Sequence, residues 1–403
     1  MERPRPYAIS LVWFFSLGGL GVFFPFYSLY LRENLGLSGT EVGWVLACLP
    51  LVGLVAQPAW GQIADRTGSR SRLLLWIGLG AGAGYAGLAL GRGFAVMALL
   101  TALLAFFSSA LIPSTMAVTL AVTRDRGPHS FGLARTWGTV GFLVTVVAFP
   151  PLLDLIEDRL GATSGPGVSE PALAVMFPLT GILVAISGFV ALALPRSGSV
   201  AVRADRGDWR RLLSHGPYLR LLVFAFLAYL ALQGPMGLFP IYVRAHGGSI
   251  DTVSRLWILM LLVEIPLIAL SGASLTRIGA RGLLGVGVVA GGVRWAVCGF
   301  YPESALVVPM QALHGVVVAG LVIGAPLYVE ETVPERLRST GQGVLAMIGV
   351  SLGGMASNVS SGWLLEHYGP DAPYAVAGVG ALALGALLPI LLPRPSRAPD
   401  GHA

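Results

Sequence analysis

Four ionisable side chains fall deep within long apolar stretches of this 403-residue chain: Arg135, Glu264, Arg294 and His314. A charge at the centre of a bilayer costs about 2.5–3.5 kcal/mol on insertion scales, so each is a functional candidate. Glu264, Arg294 and His314 lie on three successive stretches. On neighbouring helices, a carboxylate, a guanidinium and an imidazole form a network in which protonating one member re-pairs the others. That is the chemistry of proton coupling. The plainer reading is a static buried pair between Glu264 and Arg294 that fixes helix packing. Arg135 stands apart, with no acidic residue on the stretch before it. A guanidinium is always charged, and its planar fork suits a carboxylate. Phe142, two turns further on, adds an apolar surface, so the two residues predict a site for an organic acid with a hydrophobic or aromatic body. The plainer reading is that Arg135 reaches water at its helix end.

Composition says what solvent surrounds these groups. The chain is 55% hydrophobic and 11% charged, with mean hydropathy +0.76, against about 25% charged in soluble domains. A helix needs about 20 apolar residues to cross the hydrocarbon core. Twelve runs qualify: 7–31, 41–64, 73–91, 94–122, 131–153, 172–194, 218–243, 252–275, 282–301, 304–329, 339–365 and 372–392. None alternates with the period of two that a barrel strand shows. Pro25, Pro113, Pro235 and Pro266 fall inside runs, which a bilayer tolerates where neighbouring helices satisfy the freed carbonyls. The first run is too long for a secretory leader and is read as the first span. The expected fold is an all-α membrane protein of twelve transmembrane helices in two pseudo-symmetric bundles of six.

Orientation follows from arginine, because the chain has no lysine. With both termini on one face, that face carries eighteen arginines and the other five. The positive-inside rule makes the first face cytoplasmic, in a plasma or inner membrane, and leaves the 154–171 connector outside. The longest polar interruption divides the chain into a first bundle (1–194), a cytoplasmic linker (195–217), a second bundle (218–392) and a tail (393–403). Within the linker, "DWRRLL" reads as a short interfacial helix.

Charge is concentrated in "GQIADRTGSR", between runs 2 and 3. A degraded copy, "GASLTRIGAR", follows run 8, with Gly272, Arg277, Gly279 and Arg281 in register with Gly61, Arg66, Gly68 and Arg70. The first copy resembles the G-x-x-x-D-R-x-G-x-R loop of the major facilitator superfamily. That resemblance implies a gating loop of Gly61, Asp65, Arg66, Gly68 and Arg70. In it the glycines permit a tight turn and Asp65 makes a contact that one transporter state breaks. The plainer reading is a basic loop that only sets topology.

"GVFFPFYSLYLRENLGLSGTEVGWVLACLPLVGLVAQPAWGQIADR", "FGLARTWGTVGF" and "PERLRSTGQGVL" look like the lactose permease and phenylpropionate permease-like branch. Glu, Arg and His on spans 8, 9 and 10 recur there in proton coupling and sugar binding, which implies those roles for Glu264, Arg294 and His314. Three departures argue against a galactoside. Val317 stands where that branch has a second carboxylate, one turn after the histidine. Met116 replaces its span-4 acid, and Phe142 its sugar-stacking tryptophan.

Phe23, Tyr27 and Tyr30 share one face of the first span and are expected to line a cavity, to pack or to face lipid. Gln57, Gln233, Gln311 and Asn358 are mid-span amides that face the substrate or bond neighbouring helices. "GVSLG" around Ser351 matches a nucleophile elbow but lies in mid-span without strand context. "GAGYAG" matches a dinucleotide fingerprint with no strand before it. Gly78, Gly80, Gly82 and Gly84 read instead as a packing face. Cys48 and Cys298 offer neither a disulfide framework nor a metal site. A phosphate loop needs lysine and cannot exist here. No cofactor, metal or nucleic acid is implied, and enzyme chemistry is not expected. The expectation is a monomeric secondary transporter in the lipid bilayer. It would be a proton symporter for a small organic solute, with a hydrophobic or aromatic carboxylate favoured. Sugar, nucleoside or efflux transport, a solute sensor and a membrane enzyme are the alternatives.

Overall fold

The computed structural model describes residues 6–67, 69–123, 129–161, 168, 170–194, 212, 214–269 and 278–392. The first bundle comprises α1 (Tyr7–Asn34), α2 (Gly39–Thr67), α3 (Ser71–Leu90), α4 (Gly93–Thr123), α5 (His129–Leu160) and α6 (Leu173–Ala193). The second comprises α7 (Gly216–Ala245), α8 (Ile250–Ala269), α9 (Gly279–Phe300), α10 (Val307–Thr332), α11 (Thr340–Tyr368) and α12 (Ala372–Leu391). Eleven are long and apolar enough to cross a membrane. The exception, α8, has 20 residues and carries three charges along them, Asp251, Arg255 and Glu264.

Two expected boundaries move. Asp154, Glu157 and Asp158 lie on the last turns of α5, which runs to Leu160, and not in a connector. Gly61 sits inside α2, which continues to Thr67, with open space around its Cα, so it forms no turn. In the second copy, Gly279 has φ +73°, a conformation that glycine adopts without penalty. Gly68, the side chains of Asp65 and Arg70, and nearly all of the linker and tail lie outside the described residues.

Within the first bundle α1 packs on α5 and α6, α2 on α4, and α3 on α4 and α6. Within the second, α7 packs on α11 and α12, α9 on α12, and α10 on α8 and α9. The bundles meet chiefly where α2 crosses α11 and α5 crosses α8. Small residues set these distances. A Cβ on Gly78 would stand 2.8 Å from the Cα of Gly188, and one on Gly82 would stand 2.7 Å from the Gly181 carbonyl oxygen. Gly80 and Gly84 turn instead toward Phe107 and Leu104 of α4. Without water to drive helices together, such close backbone approach is a main source of association.

Three helices are irregular at membrane depth. The α-helical pattern of α1 breaks over Phe24–Phe26 around Pro25, and π-helical turns occupy Ala319–Ile323 of α10 and Ala346–Gly353 of α11. Proline removes a backbone donor, and π turns cluster at functional sites. The breaks in α1 and α10 flank the space between the bundles, through Phe24 and Leu321, while the π turns of α11 pack against α7 and α2.

Candidate functional site: a cavity between the two bundles

A cavity of about 340 Å³ is enclosed by α1, α5, α7, α8 and α10. Its walls include Phe24, Phe142, Tyr229, Gln233, Trp257 and His314, with Leu20, Val317 and Leu321 filling the gaps. Trp257 of α8 is 4% exposed. Its ring centroid lies 5.3 Å from Phe142 of α5 and 5.7 Å from Phe24 of α1, so rings from both bundles meet there. The Trp257 indole N–H has no hydrogen-bond partner among the described residues. Aromatic faces with a few polar atoms are how proteins hold a ring-bearing ligand.

Behind this wall lies a charged cluster. Arg294 is buried. It donates from Nε to Gln311 Oε1 at 2.8 Å and meets His314 Nδ1 at 3.0 Å, and its guanidinium lies 4.0 Å from the Trp295 ring centroid. A guanidinium can only donate, so His314 Nδ1 is the acceptor and the ring proton sits on Nε2. Nε2 faces Glu264 Oε2 at 3.7 Å, wider than a direct hydrogen bond. Glu264, Arg294 and His314 are therefore brought together as expected, with the histidine between the other two. The static Glu264–Arg294 pair does not form.

Arg135 donates to Thr139 Oγ1 at 3.3 Å and lies 4.7 Å from the Trp13 ring centroid. Arg135 and Glu264 act on each other electrostatically across the boundary that α5 and α8 form. No ion pair joins these two described side chains, and Arg135 is not among the residues that line the cavity.

The other candidates divide. Phe142 and Gln233 line the cavity. Phe23, Tyr27 and Tyr30 do not: all three are buried inside the first bundle. Tyr27 Oη lies 2.6 Å from Thr101 Oγ1, Phe23 stacks on Tyr27, and Tyr30 abuts Phe177. The packing reading of that stripe is the correct one, because the neighbouring face of α1, with Leu20 and Phe24, points into the cavity. Gln311 is also turned away: it is fully buried, with Oε1 on Arg294 and Nε2 on the Val307 carbonyl. Asn358 is buried where α11 crosses α2 and α7, beside Gly237 and away from the cavity wall. Arg66 is exposed. Trp257, Phe24 and Tyr229 were missed, because an aromatic residue in an apolar run carries no mark that separates cavity from core or lipid.

A model of the MFS_1 like family matches residues 7–376. The maltose permease of Geobacillus stearothermophilus is 27% identical over 394 residues, 98% of this chain and 96% of that one. The probable 3-phenylpropionic acid transporter of Escherichia coli (strain K12) is 28% identical over 312 residues, 76% of this chain and 77% of that one. Among solved structures, a mutant of the nucleoside transporter NupG superposes with TM-score 0.81 at 16% identity, covering 96% of this chain and 99% of that chain. At that identity the likeness speaks for the fold alone.

Proposed function

This chain belongs to the MFS_1 like family of major facilitator membrane transporters, and on that premise we propose that it is a proton symporter carrying a small organic solute by alternating access. The arginine-rich face, with both termini, would be cytoplasmic. The protein would work as a monomer, and the end of α2 with the residues that follow it, Asp65, Arg66, Gly68 and Arg70, would gate it, with Gly61 one turn earlier in the helix. The observation that carries the reading is the position of His314. One edge of its ring lines the cavity and the other is held by Arg294, with Nε2 toward Glu264.

With Nδ1 occupied by Arg294, His314 accepts no proton without breaking that bond. Glu264 is then the group that binds the coupling proton. The same carboxylate would serve as the counter-charge of Arg135 across the α5–α8 contact. A solute carboxylate that takes Arg135 would meet a like charge on Glu264 unless Glu264 is protonated. Acid and proton would therefore bind together. The apolar and aromatic wall favours a solute with a hydrophobic ring, and the resemblance to the probable 3-phenylpropionic acid transporter supports the same class.

A second reading is a neutral sugar. It is favoured by likeness to a maltose permease along nearly the whole chain, and by Gln233 beside aromatic faces on which a sugar ring can stack. Proteoliposomes with an imposed pH gradient test both. Labelled 3-phenylpropionate should accumulate, and Glu264→Gln should lose that accumulation while retaining solute exchange. Full accumulation by the variant would refute the proton role. Uptake of maltose without any carboxylate would replace the acid by the sugar.

A further inference from the structure

We infer that the membrane-facing groove between α2, α3 and α4 binds one anionic phospholipid, its phosphate on Arg72 and an acyl chain against Trp60, Trp76 and Phe107. The groove encloses about 750 Å³. It runs from Thr67, Ser69 and Arg72, at the arginine-rich end, to Leu79 and Gly80. Its length along α3, eight residues from Arg72 to Gly80, is about 12 Å, most of one leaflet of a core about 30 Å thick. Trp76 is 63% exposed, so the groove opens outward to the bilayer.

The walls suit a chain and not a polar ligand. The Trp60 indole N–H is already bonded to the Phe106 carbonyl at 2.7 Å, leaving only its ring to face the groove. The Phe107 ring occupies the space that a side chain at Gly80 would fill. Polarity returns only at the mouth. Arg72 is exposed there, and no described carboxylate lies within ion-pair distance of it. Arg66, also exposed, adds charge of the same sign. A guanidinium takes a phosphate through two parallel hydrogen bonds, and a net anionic headgroup meets this charge without repulsion. Trp60 and Leu73 also wall a smaller inner cavity of about 190 Å³ reaching Gln57 and Pro113, so the bound chain would rest on a thin partition within the first bundle.

The test uses the full chain in bilayers of equimolar phosphatidylglycerol and phosphatidylethanolamine. After detergent extraction, native mass spectrometry counts retained lipid. Phosphatidylglycerol should be retained in preference. Arg72→Gln should lower its retention about fivefold, as expected for the roughly 1 kcal/mol of one arginine at an anionic surface. Arg92→Gln, at the opposite face, should leave it unchanged. A second measurement alters no charge: phosphatidylglycerol with brominated chains should quench wild-type tryptophan fluorescence more than the brominated ethanolamine lipid does. Trp76→Phe should reduce that difference. Equal retention of the two lipids, unchanged retention in Arg72→Gln, or a quenching difference that Trp76→Phe leaves intact each overturns the assignment.

Discussion

Arg244 of α7 stands 3.1 Å from Glu33 of α1, so a guanidinium of the second bundle is ion-paired with a carboxylate of the first. The same guanidinium reaches Glu170, just before α6, at 2.9 Å, and Asn34 donates to the Glu170 carbonyl at 3.0 Å. Nearby, Glu366 of α11 accepts the Gly39 N–H and lies 3.9 Å from Arg32. The contacts of Arg244 and Glu366 link the bundles at the arginine-poor end, where they would act as a latch.

Breaking the latch should shift the conformational balance. Partly exposed ion pairs are worth about 0.2–1 kcal/mol, so Arg244→Gln should raise the population open at the arginine-poor end by up to about fivefold. A cysteine at Leu20, in a Cys48→Ser background, reports this through maleimide labelling from that side. An unchanged labelling rate would mean that the latch has no bearing on opening.

The glycine crossing beneath the latch predicts a stronger effect. A Cβ on Gly43 would stand 2.9 Å from the Cα of Gly362. Gly362→Leu therefore cannot close as this structure does. The variant should insert normally, bind solute from the arginine-poor side and fail to accumulate it. Wild-type uptake would show that α2 and α11 need not meet during the cycle.

Gln311 should act on stability before transport. Gln311→Leu leaves the buried Nε of Arg294 without its acceptor. A hydrogen bond to a buried charge is worth about 1.5–3 kcal/mol, so the melting temperature in detergent should fall by several degrees. No change in melting would deny Gln311 its role in holding Arg294.

Arg135 tests the solute's charge. If a carboxylate shares this guanidinium, Arg135→Gln should abolish binding of 3-phenylpropionate, and Arg135→Lys should weaken it severely for lack of the planar fork. The amide of the same acid should bind the wild type more weakly than the acid does. Equal affinity for acid and amide, measured calorimetrically, would remove the anionic solute.

The architecture was legible in the sequence because twelve apolar runs leave few alternatives in a bilayer, and the buried charges were legible because each is costly there. Glu264, Arg294 and His314 stood out for that reason, and they do meet. The order in which they meet was not legible: which side of an imidazole a guanidinium takes depends on how α9 and α10 are rotated. The aromatic residues failed for another reason. Phe23, Tyr27 and Tyr30 make a regular stripe, yet a stripe facing a core, a cavity or lipid has the same hydropathy. Trp257 became recognisable only through the rings of Phe24 and Phe142 that meet it.

Along the contact of α3 with α6, glycines face glycines, Gly78 against Gly188 and Gly82 against Gly181. A junction built of glycines and alanines has few rotamers to rearrange, so it has little room for a second arrangement. Sequence change there cannot tune the rate of the transport cycle by degrees; it removes the folded chain from the membrane. A saturation scan should therefore separate two kinds of sensitive position. Substitutions on the α3–α6 junction should lower abundance and leave the surviving molecules normal, whereas those around Trp257 and His314 should leave abundance intact and alter turnover. Drift in such a lineage would be confined to the second kind.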